Sequence, residues 1–130
     1  METTYPSIVT VVALIVYFLI TMNVGRTRFK YKVMPPATSG NPNFERALRV
    51  QQNTLEQLIL FLPLLWLFCL YINPTWGSGI GAFWIVGRIL YALGYYQAAE
   101  KRMIGFAISF LSTLALLIGS LVGMTMVFIQ

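Results

Sequence analysis

The sequence predicts an all-α fold, an integral-membrane bundle of four helices. Three observations carry this prediction. Hydrophobic residues make up 58% of the 130-residue chain and charged residues only 10%, a balance outside the range of ordinary soluble domains. The apolar residues gather into four runs, each long enough to cross about 30 Å of hydrocarbon at about 1.5 Å per residue. Between the runs stand Pro35-Pro36, Gly40-Asn41-Pro42 and Asn73-Pro74, which interrupt helices. The whole chain, 1–130, is expected to be a single transmembrane domain with spans at about 5–24, 44–71, 80–98 and 103–129.

The first run holds Ile8, Val11, Val12, Leu14, Ile15, Val16, Phe18, Leu19 and Ile20. It is expected to be a retained helix rather than a signal peptide, because Glu2 precedes it and the basic residues follow it. Residues 26–43 read as the longest loop, with Asn41 or Asn43 capping the second helix and Pro42 near its start. The stretch 72–79 reads as a tight turn. The third span contains a single charge, Arg88, and is closed by Glu100-Lys101-Arg102. The fourth has no charge; its Gly105, Ala107, Ser109, Ser112, Ala115, Gly119, Ser120 and Gly123 suit close helix packing.

Charge placement sets the expected orientation. Arg26, Arg28, Lys30 and Lys32 follow the first run, Lys101 and Arg102 follow the third, and the stretch between the second and third runs carries no Lys or Arg. The side with the basic residues is therefore expected to be cytoplasmic, with both termini outside. A net charge of +5 placed in this way suits topology and anionic lipid better than nucleic acid. With no histidine, no aspartate and one cysteine, Cys69, the chain cannot build a disulfide framework, a thiolate metal cluster or a histidine triad by itself, and no metal is expected.

Charges inside a bilayer are costly and usually mark function. Arg49, Asn53 and Glu56 are spaced by four and three, so they share one helical face, with Gln52 beside it and Gln51 pointing away. On the third helix Arg88, Tyr91, Tyr95 and Arg102 fall in a sector about 60° wide. Glu56 lies twelve residues after Phe44 and Arg88 twelve before Glu100, which puts both roughly 18 Å deep and predicts a Glu56–Arg88 ion pair, within or between subunits. The two faces describe a cationic, tyrosine-lined cavity open toward the cytoplasmic side and toward lipid. Arginines suit carboxylates and Glu56 suits an ammonium, an inventory that glutathione matches. Its thiol, ordinarily near pKa 8.5, would be favoured as thiolate by a neighbouring arginine.

The pattern Phe44-Glu45-Arg46-x-x-Arg49-x-Gln51-x-Asn53-x-x-Glu56, with Arg88-x-x-Tyr91-x-x-x-Tyr95 and then Arg102, resembles the second- and third-helix signatures of the MAPEG family. These are the membrane-associated proteins in eicosanoid and glutathione metabolism. The likeness is to the microsomal glutathione transferase 2 and leukotriene C4 synthase branch. It implies a homotrimer of four-helix bundles that binds glutathione between subunits and takes a lipophilic electrophile from the bilayer. By resemblance, Arg49, Asn53 and Glu56 would hold glutathione from one subunit, and Arg28, Gln51, Tyr91, Tyr95 and Arg102 from the next. Arg102 would stabilise the thiolate.

Gln57 stands where the leukotriene C4 synthase branch has tyrosine, and Gln97 replaces a basic residue of that branch. The expectation is therefore a detoxifying glutathione transferase, with glutathione-dependent reduction of lipid hydroperoxides as a further activity. A bacterial inner membrane is favoured over the endoplasmic reticulum. A non-catalytic scaffold resembling the lipoxygenase-activating member of the family is the alternative. A channel would need polar residues through the whole span, whereas these occupy its cytoplasmic half.

Overall fold

The computed structural model describes residues 2–130 and consists of four long helices, α1 (Thr4–Tyr31), α2 (Pro42–Tyr71), α3 (Pro74–Gln97) and α4 (Met103–Phe128). A short 3-10 turn, Ala99–Arg102, links the last two. All four helices are long and apolar enough to cross a membrane, so the chain is an integral, multi-pass membrane protein. Contacts between successive helices run antiparallel. Thr10 meets Trp66 and Thr21 meets Gln51; along the next pair Phe61 stacks on Trp84, and Arg46 reaches the carbonyl of Tyr96.

Two helices begin on the same device. Asn41 Oδ1 accepts from the backbone N–H groups of Asn43 and Phe44, at 2.9 and 3.2 Å, with Pro42 opening α2. Asn73 Oδ1 accepts from Thr75 and Trp76, at 2.8 and 3.0 Å, with Pro74 opening α3. An asparagine at the cap satisfies amides the helix leaves orphaned, and the proline behind it gives up none. α3 therefore starts six residues before the expected span, and Trp76-Gly77-Ser78-Gly79 is helix rather than turn.

The basic segment also departs from expectation. α1 continues to Tyr31, so Arg26, Arg28 and Lys30 ride on a helix and only residues 32–41 form the loop. Nothing in Arg26–Tyr31 breaks a helix, and cations are favoured near its carboxyl end. The left-handed Lys32 (φ 58°) ends it.

α3 and α4 meet along a seam of small residues. A β-carbon added at Gly87 would lie 2.7 Å from the backbone nitrogen of Ser109. One added at Gly105 would collide with the backbone of Tyr91 and come within 2.6 Å of the Gly87 carbonyl oxygen. Backbone cannot step aside as a side chain can. Gly105→Val is therefore expected to separate α3 from α4 and to lower the yield of folded, detergent-soluble protein severely. Gly25→Val, at a position with open space around it, serves as the control and should fold normally. Size-exclusion profiles of the two variants check this.

Candidate functional site

The polar faces of α2 and α3 converge on one hollow of about 300 Å³. α2 contributes Arg49, Gln52, Asn53 and Glu56; α3 contributes Tyr91 and Tyr95; the 3-10 turn contributes Arg102. A wider, shallower hollow of about 500 Å³ shares Arg49, Gln52 and Tyr95 with it and extends over Thr38, Glu45 and Arg46 toward the loop end. Together they make one continuous cleft from the basic end of the bundle inward.

Arg102 owes its position to a chain reversal. α3 stops at Gln97, Ala98 is extended, and the turn brings Arg102 back beside Tyr95. Gly94 permits this, since a β-carbon there would run into the carbonyl of Lys101. The Arg102 guanidinium lies 5.7 Å from the centre of the Tyr95 ring and donates to the Ala99 carbonyl at 2.6 Å. Tyr95 in turn meets Tyr91 edge-to-face, with ring centres 5.6 Å apart. A cation held on an aromatic face keeps its remaining donors for a ligand.

Arg88 forms the floor. It is fully buried, and Tyr91 covers its guanidinium at 4.1 Å. Its Nη1 donates to Asn53 Oδ1 at 2.8 Å and to Thr54 Oγ1 at 3.3 Å; Nε and Nη2 both donate to Ser109 Oγ, at 3.3 and 3.1 Å. Among the described residues no ion pair joins it to Glu56, so the expected pairing is corrected: Arg88 is held by neutral groups one turn nearer the basic end. Its complete burial also puts it out of reach of a neighbouring chain. Glu56 is exposed and lines the hollow instead. Arginine has no acceptor, so Asn53 must offer it the oxygen, which turns the Asn53 NH₂ group toward the hollow.

Arg28 and Gln51 stand elsewhere. Arg28 Nη1 donates to the carbonyls of Val33 and Ala37, at 3.2 and 2.8 Å, and its guanidinium lies 4.6 Å from the centre of the Phe44 ring, clamping the loop to α2. Gln51 Nε2 donates to Thr21 Oγ1 at 3.3 Å, on the face between α1 and α2. Tyr91, Tyr95 and Arg102, by contrast, share the hollow of their own chain's Arg49, Asn53 and Glu56. One chain thus brings together residues that the resemblance divides between subunits. Thr54 and Ser109 were missed as site supports. Their hydroxyls look like packing groups in sequence, and only the depth at which Arg88 crosses them distinguishes them.

The profile of the MAPEG family matches residues 6–122. The chain belongs to the MAPEG family. The site of this MAPEG chain can be set beside several relatives. It is 58% identical over 120 residues to an uncharacterized protein of Synechocystis sp., covering 92% of this chain and 88% of that one. It is 47% identical over 96 residues to microsomal glutathione S-transferase 2 of Homo sapiens, covering 74% of this chain and 65% of the human protein. To leukotriene C4 synthase of Rattus norvegicus it is 32% identical over 102 residues, covering 78% of this chain and 68% of the rat protein. The match thus spans just under two thirds of the human transferase.

Chemically, the hollow sets two arginines against one carboxylate on its wall, with a third arginine behind Asn53 and Tyr91. It can grip carboxylates at Arg49, an ammonium at Glu56 and a carbonyl at the Asn53 amide. It can hold a soft anion beside Arg102.

Proposed function

We propose that the protein is a glutathione transferase that binds glutathione in this hollow and presents its sulfur, as thiolate, to lipophilic electrophiles from the bilayer. The observation that carries the reading is the convergence of Arg49, Asn53, Glu56, Tyr91, Tyr95 and Arg102 on one cleft within one chain. Relatives named as glutathione transferases support it. Arg49 takes a glutathione carboxylate, Glu56 the α-ammonium, and Asn53 donates to a peptide carbonyl. Arg102 faces the sulfur. The thiol proton goes to water, the thiolate forms a C–S bond to the electrophilic carbon, and the leaving group departs with its electron pair. With a lipid hydroperoxide, thiolate attack on oxygen would release the lipid alcohol. A second glutathione would then convert the sulfenic product to disulfide and water.

Homotrimer formation belongs to the same proposal. Arg28 and Gln51 lie on the α1–α2 face, away from their own hollow, and are proposed to close the cleft of a neighbouring copy. The bundle is proposed to sit in a bacterial inner membrane with the cleft on the cytoplasmic side, in line with the Lys and Arg bias. The scaffold alternative leaves the placement of Arg102 over Tyr95 without a task.

Calorimetric titration of glutathione into purified protein tests the reading, together with conjugation to an aryl chloride. Arg49→Ala is expected to weaken binding about 10- to 100-fold, the worth of a charge-assisted hydrogen bond. Glu56→Gln is expected to leave thermal stability unchanged, because Glu56 holds no buried ion pair. It should weaken glutathione binding while sparing an analogue that lacks the ammonium. Failure of the wild type to bind glutathione would overturn the proposal.

A further inference from the structure

On the side of the bundle away from the cleft, α1 and α3 frame a second feature. α1 presents a continuous stripe at helical spacing: Val16, Leu19 and Ile20, then Asn23, then Arg26 and Lys30. The lower part of the stripe and Ile89, Ala92 and Leu93 of α3 line an apolar groove of about 380 Å³. Above it, at the basic end, Arg26, Lys30, Tyr31 and Asn43 line a polar hollow of about 150 Å³. Asn23 and Tyr96 border both, so the groove and the hollow adjoin.

The polar hollow is pre-arranged. Arg26 Nε donates to Asn23 Oδ1 at 3.1 Å, which leaves its two terminal nitrogens for a ligand. Asn43 Nδ2 donates to the Tyr31 hydroxyl at 3.1 Å, and Thr27 closes the wall. Two cations line it and no carboxylate does. From Val16 to Asn23 the apolar part runs about 10 Å along α1, and both flanks are open on the surface of the single chain, with Leu19 59% and Leu93 56% exposed.

We propose that this α1–α3 groove binds one anionic phospholipid, its phosphate on Arg26 and Lys30 and an acyl chain along Leu19, Ile20, Ile89 and Leu93. Charge complementarity selects the occupant. Basic pockets between membrane helices at headgroup depth attract anionic lipid, and an apolar groove adjoining the phosphate position has no use for a soluble anion. A second copy docked here through this same face would set the two cations against their own counterparts, with no carboxylate in the lining of either. The site is separate from the cleft and does not depend on the transferase reading.

Native mass spectrometry of the protein released from membranes of equal phosphatidylglycerol and phosphatidylcholine tests this. Wild type is expected to retain one phosphatidylglycerol per chain in preference to phosphatidylcholine. Removing each cation should cost about fivefold in that preference, and Arg26→Gln with Lys30→Gln together about thirtyfold. Leu93→Trp, which fills the groove without touching charge, should also displace the lipid. Lys32→Gln, a cation outside the hollow, should have no effect. Equal loss in Lys32→Gln would reduce the preference to diffuse electrostatics and overturn the site. So would displacement of the lipid by millimolar inorganic phosphate, or retention undiminished in Leu93→Trp.

Discussion

Arg102→Ala is expected to abolish the thiolate absorbance that the proposed function predicts for the wild-type protein mixed with glutathione at neutral pH, and to lower turnover by about 100- to 1,000-fold. That range is the usual cost of removing one preorganised group that faces developing or resident negative charge. Glutathione affinity should fall much less. Arg49, Asn53, Glu56 and the two tyrosines remain, and the Arg102 side chain is anchored to its own turn through Ala99 rather than to α2. Each unit by which the arginine lowers the thiol pKa is worth about 1.4 kcal/mol of thiolate stabilisation. Raising the pH should therefore rescue part of the lost rate in the variant, because bulk hydroxide then supplies the thiolate. Stopped-flow absorbance and a pH–rate profile measure both effects. Equal losses in binding and turnover, with no rescue at high pH, would reduce Arg102 to a binding group.

Arg88→Ala is expected to destabilise the bundle by about 3–5 kcal/mol. It removes the donor to the Asn53 carbonyl oxygen and the Thr54 hydroxyl, leaves Ser109 Oγ with only its bond to the Phe106 carbonyl, and empties the space beneath Tyr91. Because such a variant can simply fail to accumulate, Arg88→Met is the sharper test. Methionine refills much of the volume without offering a donor. It should fold, yet bind glutathione about tenfold more weakly, since nothing then holds the Asn53 amide with its NH₂ group toward the hollow. Thermal unfolding in detergent and glutathione titration separate the two contributions. Wild-type stability and affinity in Arg88→Met would remove any role for the buried network.

Much of the site could be read before its geometry was known, because helical spacing alone aligns Arg49, Asn53 and Glu56, and likewise Tyr91 and Tyr95. What spacing does not give is the relative height of two helices. Counting inward from Glu100 assumed that α3 continues that far. It ends at Gln97, three residues earlier, or about 4.5 Å of helix. Arg88 therefore meets Asn53 and Thr54 rather than Glu56. The same blindness hid Ser109, one of several small residues on α4 with nothing local to mark it.

The helix limits failed for a different reason. Gly77-Ser78-Gly79 has poor helical propensity, yet it follows Asn73-Pro74, and Gly77 packs on Cys69 and Phe68, where only a residue without a side chain fits. Tertiary contact outweighs propensity there. Arg28 and Gln51 were identified by resemblance, and their places on α1 and α2 could not have been assigned to a subunit by pattern.

The glycine seam has a mechanical consequence. Because α3 and α4 touch through backbone at Gly87 and Gly105, they form one tightly packed unit, and that unit carries Tyr91, Tyr95 and Arg102. The opposite jaw is the first third of α2. The two are joined deep in the bundle where Arg88 grips Asn53 and Thr54, and again at the rim where Arg46 donates to the Tyr96 carbonyl. A ligand too bulky for the hollow is expected to break the single Arg46–Tyr96 bond at the rim before it disturbs the several bonds around Arg88.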